Sequence, residues 1–373
     1  MIVGVPKEIK NEEYRVAVTP TGAKEFVRAG HTVVVEKGAG VGTGFDDAAY
    51  KAAGAKLAKA DDVFAQADMI VKVKEPLESE YPKFKKGQVL YTYLHLAADY
   101  AKGLTEAMMK AGIRAIAYET VELPNGAHPL LFPMSEVAGR LAIQAGATHL
   151  QKENGGRGVL LGGVTGVPPA KVVIIGGGTV GINAAKMAEG LRARTVIVDK
   201  DADRLAYLDD IFGGRVETLL SNESAIEEAV ADADLVVGAV LLPGGAQAPH
   251  LLKRYMLKAM RPGSVLVDVA IDQGGCFETS RPTTHTDPTY VVDGVIHYCV
   301  ANMPGAVART STMALTGATL PYGVAIATKG FEKAVKGDPA LALGVNVYRG
   351  KLTIPSVAKA HKLAYTPLDK ALA

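Results

Sequence analysis

The chain has 373 residues, and 48% of them are apolar, so it is long enough for two domains that each bury a core. Its 41 basic and 39 acidic side chains nearly cancel, and it contains no basic tract interleaved with aromatic residues. This balance argues against a nucleic-acid or membrane-surface partner. We therefore expect a small-molecule substrate, with no nucleic acid and no membrane as partner.

The two cysteines, Cys276 and Cys299, do not form a C-x-x-C pair, so we expect neither a metal site nor a disulfide framework. The N-terminal residues alternate between apolar and polar too briefly for a secretory signal, which favours a first strand. The longest apolar neighbourhood, residues 159–178, is interrupted by prolines, glycines and a lysine, which argues against a membrane-spanning helix. A reduced, cytoplasmic setting is expected.

The first third of the chain alternates strand-like and helix-like segments, which is typical of βαβ units around a parallel sheet. The predicted strands cover residues 2–5, 32–36, 69–73, 89–93 and 113–118, and the predicted helices cover 20–29 and 46–53. A long helix over residues 135–150, with Ser135 as its N-cap, is predicted to lead into a second domain.

The most specific motif follows the apolar run 172–175, where glycines stand in G-x-G-x-x-G spacing. A helix is predicted after the last glycine, and a further strand over 195–198. In such a turn the first glycine allows a tight bend, the second lets the backbone approach a pyrophosphate, and the third lets the helix pack closely on the strand. The residues predicted to bind the cofactor here are Gly176, Gly178, Thr179, Val180 and Gly181.

Asp199 ends the strand that follows the glycine motif, where a carboxylate can accept hydrogen bonds from the ribose 2′-hydroxyl. This position favours NAD over NADP as the cofactor. Lys200 and Arg204 are cations that could tolerate a 2′-phosphate, and Arg204 is included among the predicted cofactor residues. Asp201 and Asp203 argue in the other direction.

Strands over 235–238 and 264–269 extend this second series, and a largely apolar stretch over 310–327 predicts another long connecting helix. We predict an α/β protein with two Rossmann-like domains and parallel sheets, the cofactor domain being inserted into a discontinuous substrate domain. The substrate (catalytic) domain is predicted over 1–134 and 307–373, and the NAD-binding domain over 135–306.

Three polar side chains are candidates for substrate chemistry, because clefts in α/β proteins form at the carboxyl ends of strands. Lys74 and His95 end two strand-like runs, and Arg15 could clamp a carboxylate through its planar fork. Histidine is the side chain best suited to proton transfer near neutral pH. Taken singly, each also fits a structural role: a satisfied polar histidine, a solvated lysine, or an arginine in a surface ion pair.

Two acidic residues, Asp268 and Asp272, bracket the sequence Val-Ala-Ile after the predicted strand 264–269. Residues four apart in an extended chain face the same way. The following Gln273-Gly-Gly, however, predicts a turn that redirects Asp272. Asp272 is therefore the preferred candidate for the cleft.

Several of these segments together resemble bacterial L-alanine dehydrogenases over nearly the whole chain. The resemblance rests on Pro6-Lys-Glu, Arg15-Val-Ala-Val-Thr-Pro, Val73-Lys-Glu-Pro, Tyr93-Leu-His, the glycine turn, Asp268-Val-Ala-Ile-Asp-Gln-Gly-Gly-Cys and Val300-Ala-Asn-Met-Pro. Part of it is shared with the wider group that includes the nucleotide-binding α subunit of proton-translocating transhydrogenase. His95, with the Arg15 and Lys74 pair, favours the amino-acid enzyme.

The resemblance implies NAD-dependent interconversion of L-alanine with pyruvate and ammonia by a homohexamer. It implies that Arg15 and Lys74 hold the substrate carboxylate and keto oxygen, that His95 is the general acid/base, and that Asp272 positions the reacting groups. Further contacts implied for the substrate or the cofactor are Met134, Ser135, Asn302 and Met303.

Two alternatives stay open at this point. A transhydrogenase-type nucleotide-binding subunit would use the same glycine turn without needing His95. A related dehydrogenase of a larger amino acid, such as the saccharopine class, would share the chemistry but differ in its substrate.

Overall fold

The computed structural model describes residues 1–241 and 248–373. Over these residues the chain divides into two compact units, Met1–Met134 with Val307–Ala373, and Ser135–Ala306. Each unit is built on its own sheet. No helix within the described residues is both long enough and apolar enough to cross a membrane.

The strands, in chain order, are β1 Ile2–Val5, β2 Thr32–Glu36, β3 Lys56–Ala58, β4 Met69–Val71, β5 Val89–Thr92, β6 Arg114–Ala117, β7 Lys171–Ile175, β8 Arg194–Asp199, β9 Val216–Leu220, β10 Leu235–Gly238, β11 Val265–Asp268, β12 Thr289–Val292, β13 Val295–Tyr298, β14 Val345–Tyr348 and β15 Lys351–Leu352. The α-helices are α1 Pro20–Arg28, α2 Asp47–Ala52, α3 Ala60–Gln66, α4 Lys102–Ala111, α5 Phe132–His149, α6 Thr179–Gly190, α7 Ala202–Phe212, α8 Glu223–Ala231, α9 Ala308–Lys329, α10 Phe331–Gly337, α11 Pro339–Leu343, α12 Pro355–His361 and α13 Leu368–Leu372.

The sheet of the first unit has the order β3-β2-β1-β4-β5-β6, continued by β14 and β15. Its strands pair in parallel from β3 to β6, whereas β14 and β15 pair antiparallel. The parallel strands are apolar runs because helices cover both faces of such a sheet. The strand order reverses between β1 and β4, so the carboxyl ends of these strands flank a position where ligands commonly bind.

The sheet of the second unit has the order β9-β8-β7-β10-β11-β13, with β12 antiparallel at the edge. The pairs from β9 to β13 are parallel. The central strands contribute Val173, Val196, Val236 and Leu266 to one buried core, which Phe277 also joins. Here the strand order reverses between β7 and β10, and the glycine motif directly follows β7.

These two sheets confirm the predicted α/β class with two Rossmann-like domains and mostly parallel sheets. The predicted N-cap at Ser135 is wrong, because α5 begins at Phe132 and Ser135 lies inside the helix. Pro133 fits the first turn of a helix, where its fixed φ is suitable and its missing N–H would be unpaired in any case. Strands β4 and β5 end at Val71 and Thr92, so Lys74 and His95 lie in the loops that follow them.

Candidate functional site

The glycine turn, residues 176–181, connects β7 to α6. At two of its glycines, the backbone of the turn packs closely against other backbone atoms. Gly176 has φ +104°, and a Cβ at this position would lie 2.8 Å from the carbonyl oxygen of Ala239. A Cβ on Gly181 would lie only 1.8 Å from the carbonyl oxygen of Gly176. A Cβ on Gly178 would meet no atom within 4 Å. The turn is therefore packed tightly at both ends and open in the middle.

This open middle fits a pyrophosphate. Gly178 is the N-cap of α6, so the first unpaired N–H groups of the helix lie beside it. Helix N-termini carry a partial positive charge that favours bound phosphates. Gly178, Thr179 and Val180, three of the predicted cofactor residues, lie at this open position.

Asp199 ends β8 and is bound to the glycine turn itself. Its Oδ2 accepts a hydrogen bond from the Gly177 N–H at 2.6 Å, and its Oδ1 accepts one from the Asp201 N–H at 3.0 Å. The Nε of Arg204 donates to the Gly177 carbonyl oxygen at 2.6 Å, and the Arg204 guanidinium lies over the ring of Tyr207. Asp199 and Arg204 thus fix the backbone of Gly177, Asp199 through its N–H and Arg204 through its carbonyl oxygen.

A cavity of about 650 Å³ lies next to this turn. Apolar side chains such as Ile175, Val198 and Ile226 form part of its wall. The predicted cofactor residues that line it are Ser135, Gly176, Gly178, Thr179, Val180 and Asp199. Three other predicted cofactor residues that the structure describes, Gly181, Arg204 and Met303, do not line it. A mostly apolar cavity with one carboxylate at a strand end suits a nucleoside with a free 2′-hydroxyl.

Sequence reasoning missed five polar or charged residues of this cavity, Ser221, Asn222, Glu223, His250 and Lys253. Asn222 is the N-cap of α8, and its side chain accepts a hydrogen bond from the Ala225 N–H at 2.9 Å. The preference of asparagine for N-caps was a usable signal. The preceding strand, β9, was not predicted because its residues are only partly buried and lack a clear apolar run.

In the first unit, Arg15 is buried, with 2% of its side chain exposed, and forms a two-bond ion pair with Glu13. Its Nε donates to Glu13 Oε1 at 2.7 Å, and its Nη2 donates to Oε2 at 2.6 Å. Its Nη1 lies 3.3 Å from the sulfur of Met134. Burial by itself lowers the pKa of Arg15, but Glu13 more than offsets this and the pKa is raised. The sequence analysis considered a surface ion pair for Arg15, but its ion pair with Glu13 is buried.

Glu8, which follows β1, holds the loop that carries Lys74. Its Oε1 accepts hydrogen bonds from the N–H groups of Val73 at 2.6 Å and Lys74 at 3.3 Å. Its Oε2 pairs with Lys72 Nζ at 3.0 Å, and Lys72 also pairs with Glu80 at 3.0 Å. Lys74 itself is only 9% exposed, so it is not the solvated charge of the alternative interpretation.

His95 lies in the loop after β5 with φ +48°, in the left-handed region. Its backbone N–H donates to Glu119 Oε1 at 2.6 Å, and Glu119 follows β6. The imidazole stacks on the ring of Tyr93, with centroids 5.7 Å apart and planes 9° from parallel. The hydroxyl of Tyr93 in turn donates to the Leu130 carbonyl oxygen at 2.6 Å. Both the backbone and the ring plane of His95 are therefore fixed.

The structure brings the three substrate candidates of the first unit to one edge of its sheet. Lys74 and His95 follow the neighbouring strands β4 and β5. Arg15 lies within electrostatic range of Tyr93, the stacking partner of His95, and of Glu8, the residue that holds the Lys74 loop. The arrangement combines two cations with one group suited to proton transfer.

In the second unit, Asp268 and Asp272 differ in environment. Asp268, at the end of β11, is fully buried and accepts hydrogen bonds from the N–H groups of Ala270 and Cys276. Its burial raises the pKa of its carboxyl group. Asp272 is exposed in the short helical turn Val269–Gln273, and Gly274, with φ +90°, ends that turn. Asp268 thus organises the loop, while the carboxylate of Asp272 stays accessible.

Asn302 and Met303 follow β13 in the same unit. Asn302 has φ +74°, and its carbonyl oxygen lies 3.1 Å from His285 Nε2. Met303 begins a short helical turn, Met303–Val307, and is 3% exposed. No group of three or more histidine, cysteine, aspartate or glutamate side chains suited to a metal ion occurs in residues 1–241 and 248–373.

The two parallel sheets and the glycine turn with its strand-end acid define a dinucleotide-binding protein of the Rossmann type. Two family profiles make the class more specific. The profile described as "Alanine dehydrogenase/PNT, N-terminal domain" matches residues 4–138, and the one described as "Alanine dehydrogenase/PNT, C-terminal domain" matches residues 142–355. The chain belongs to the alanine dehydrogenase/PNT family.

Individual relatives agree with this assignment. The chain is 60% identical to an alanine dehydrogenase of Methanococcus maripaludis over 100% of both chains. A solved structure named L-alanine dehydrogenase has a TM-score of 0.94 and 55% identity, covering 97% of this chain and 99% of that one. A solved transhydrogenase from Sinorhizobium meliloti has a TM-score of 0.82 and 25% identity, covering 95% of this chain and 100% of that one.

Proposed function

We propose that this chain catalyses the reversible, NAD-dependent oxidative deamination of L-alanine to pyruvate and ammonia. The observation that carries the proposal is the grouping of Arg15, Lys74 and His95 at one sheet edge, in a chain similar to alanine dehydrogenases along its whole length. Two cations match an anionic α-carboxylate and a carbonyl oxygen, and a histidine can exchange protons with water.

The family implies a nicotinamide dinucleotide as the cofactor, and we propose NAD as the particular one. The support is Asp199, which lines the cavity at the end of β8, where a carboxylate can accept from a ribose 2′-hydroxyl and would repel a 2′-phosphate. Met303 and Arg204 are proposed as further cofactor residues. For Arg204 the contact is indirect, because its Nε binds the carbonyl oxygen of Gly177.

A nicotinamide bound here would supply the acceptor for the hydride of the substrate α-carbon. Arg15 and Lys74 hold the carboxylate and the developing carbonyl oxygen, which keeps the α-carbon in one orientation. Water then adds to the carbon of the protonated imine, and His95 takes one proton from this water, which leaves a carbinolamine. His95 gives this proton to the nitrogen. As the C–N bond breaks, the hydroxyl oxygen becomes the carbonyl oxygen and its proton passes to the now neutral His95, so that ammonia leaves and pyruvate remains.

The remaining roles follow the family resemblance. Met134, beside the Arg15 guanidinium, and Asn302 are proposed to contact the substrate, and Ser135 the cofactor. Asp272 is proposed to position the reacting groups through its accessible carboxylate. We further propose a homohexamer in the cytoplasm, and light scattering of the purified full chain tests the hexamer.

The decisive experiment is steady-state turnover of the purified chain with NAD and a panel of L-amino acids that includes alanine, serine, glutamate and lysine. We expect L-alanine to give the highest kcat/KM, and NADP to support much slower turnover than NAD. Faster oxidation of a larger amino acid would favour the saccharopine-type alternative. Dinucleotide binding without turnover of any amino acid would favour a transhydrogenase-type subunit.

A further inference from the structure

Glu75 is a buried acid next to the proposed substrate residues, and the mechanism above does not use it. Only 5% of the residue is exposed. Its Oε1 pairs with Lys10 Nζ at 2.5 Å, while its Oε2 is buried and has no hydrogen-bond partner in the part of the chain that the structure describes. Buried acceptors almost always have partners, and an unpaired charged one is expensive. An unpaired oxygen at this position therefore calls for a functional explanation.

The groups around Glu75 show which form of the acid is present. Burial on its own raises its pKa, but the positive charges of Lys74, Lys10 and His95 more than offset burial and hold the pKa below its ordinary value. Tyr81 also lies within electrostatic range. The side chain is thus a carboxylate at neutral pH, with one oxygen paired with Lys10 and the other buried without a hydrogen-bond partner among the described residues.

His95 is positioned by contacts that do not involve its ring nitrogens. Glu119 binds the backbone N–H of His95, and Tyr93 covers one face of the imidazole. Neither contact pairs the positive charge that the ring acquires when it takes a proton from water. The Tyr93 N–H donates to the Val73 carbonyl oxygen at 3.3 Å, which places the loop of Glu75 beside the loop of His95. The carboxylate of Glu75 interacts electrostatically with the His95 ring.

We propose that Glu75 is a positioning residue for His95, and that its unpaired Oε2 stabilises the protonated imidazole during deamination. The inference rests on the function proposed above. In this step an O–H bond of the attacking water breaks and an N–H bond forms on His95. Glu75 takes no proton and remains a carboxylate throughout. Lys10 limits the strength of this effect, because its positive charge partly neutralises the carboxylate of Glu75.

The proposal predicts opposite shifts for two variants. In Glu75→Gln the imidazolium loses its counter-charge, so the acidic limb of the pH profile of kcat/KM for alanine moves to lower pH, by about one pH unit. In Lys10→Gln the carboxylate is less neutralised, so the same limb moves to higher pH. Glu75→Asp keeps the charge and restores the limb at least partly. Glu106→Gln, in an exposed pair with Lys102, is the matched control and leaves the limb unchanged.

A second measurement keeps this inference separate from the proposed reaction. The full chain has 8 histidines, so ring signals from labelled histidine can be followed by NMR and assigned to His95 with a His95→Asn variant. We expect the titration midpoint of the His95 ring to fall in Glu75→Gln and to rise in Lys10→Gln, whichever amino acid is the substrate. If both midpoints match the unsubstituted chain, Glu75 is only structural and the proposal is overturned. If they shift while alanine is not oxidised, only the proposed function fails.

Discussion

Glu13 binds Arg15 through both of its carboxylate oxygens, and the side chains of Glu13 and Arg15 are 0% and 2% exposed, respectively. This pairing uses the Nε and Nη2 edge of the guanidinium, while Nη1 lies 3.3 Å from the Met134 sulfur. The substrate carboxylate proposed to bind Arg15 would therefore meet a guanidinium whose plane is already set. Because Glu13 already holds the Arg15 side chain in one conformation, substrate binding costs less side-chain entropy than it would with an unrestrained arginine.

Substitutions of Glu13 and Arg15 should have coupled effects, because Glu13 orients the guanidinium of Arg15. In Arg15→Lys the planar fork is lost, and we expect kcat/KM for pyruvate to fall roughly ten- to a hundredfold, since a charge-assisted hydrogen bond is worth about 1.5–3 kcal/mol. In Glu13→Gln the buried Arg15 guanidinium loses the opposing charge of Glu13, and breaking such a buried pair lowers the free energy of unfolding by about 3–5 kcal/mol. Steady-state kinetics, NADH titration and denaturant unfolding measure these effects.

Glu12→Gln is the control and should leave both kcat/KM and stability nearly unchanged. Glu12 lies in the same segment but accepts a hydrogen bond from the exposed hydroxyl of Tyr14. The double variant of Glu13 and Arg15 should lose less catalytic efficiency than the sum of the single losses, because one residue acts through the other. Additive losses would mean that Glu13 has no part in orienting Arg15.

The two glycines Gly178 and Gly181 offer a matched pair of substitutions. In Gly181→Ala the new methyl group would overlap the Gly176 carbonyl oxygen at 1.8 Å, so the backbone must shift and we expect a loss of at least 1–3 kcal/mol in stability. Gly178 has φ −68° and open space around its missing Cβ, so Gly178→Ala should change stability by less than about 0.5 kcal/mol.

Gly178→Ala should nevertheless weaken NADH binding at least tenfold, because its methyl group takes the space that the pyrophosphate needs. Fluorescence titration with NADH and denaturant unfolding of both variants separate the two effects. Full NADH affinity in Gly178→Ala would place the pyrophosphate elsewhere.

Asp199 is expected to decide between the two dinucleotides. In Asp199→Asn an oxygen remains to accept from the Gly177 N–H, but the negative charge is lost. We expect kcat/KM with NADPH relative to NADH to rise by about tenfold, which corresponds to about 1.4 kcal/mol of lost discrimination. Asp199→Ala should also loosen the turn and weaken both dinucleotides. An unchanged ratio in Asp199→Asn would remove Asp199 as the ribose ligand.

Features encoded over short stretches of the sequence were predictable. The buried strands and the glycine turn depend on neighbouring residues, so apolar runs and the spacing of Gly176, Gly178 and Gly181 were sufficient to locate them. Strand β14 escaped prediction because it pairs antiparallel with β6, a partner far away in the sequence. The start of α5 was misplaced because serine is a preferred N-cap residue and Ser135 was taken as the cap, whereas Pro133 is already a first-turn residue.

The acids that organise the proposed substrate site were not predictable from single positions. Glu8, Glu75 and Glu119 gain their roles only when loops after β1, β4 and β6 meet. Each belongs to a charged or polar stretch that, in one sequence, looks like an ordinary solvated surface. The chemistry-bearing partners His95 and Lys74 were recognisable because their residue types suit the reaction.

His95→Asn tests the proposed acid/base with little disturbance to the fold. Asparagine tolerates the left-handed backbone conformation that His95 adopts at φ +48°, so the bond from its N–H to Glu119 should survive. The variant lacks a group that can take a proton from water, and we expect kcat to fall by about 10²–10⁴-fold. The affinity for NADH should stay within about twofold, because the imidazole serves proton transfer and not dinucleotide binding. Steady-state kinetics and fluorescence titration on the same preparation provide both values. Near-normal turnover in His95→Asn would show that the proton is handled by another group, whereas loss of NADH binding together with turnover would point to a structural role.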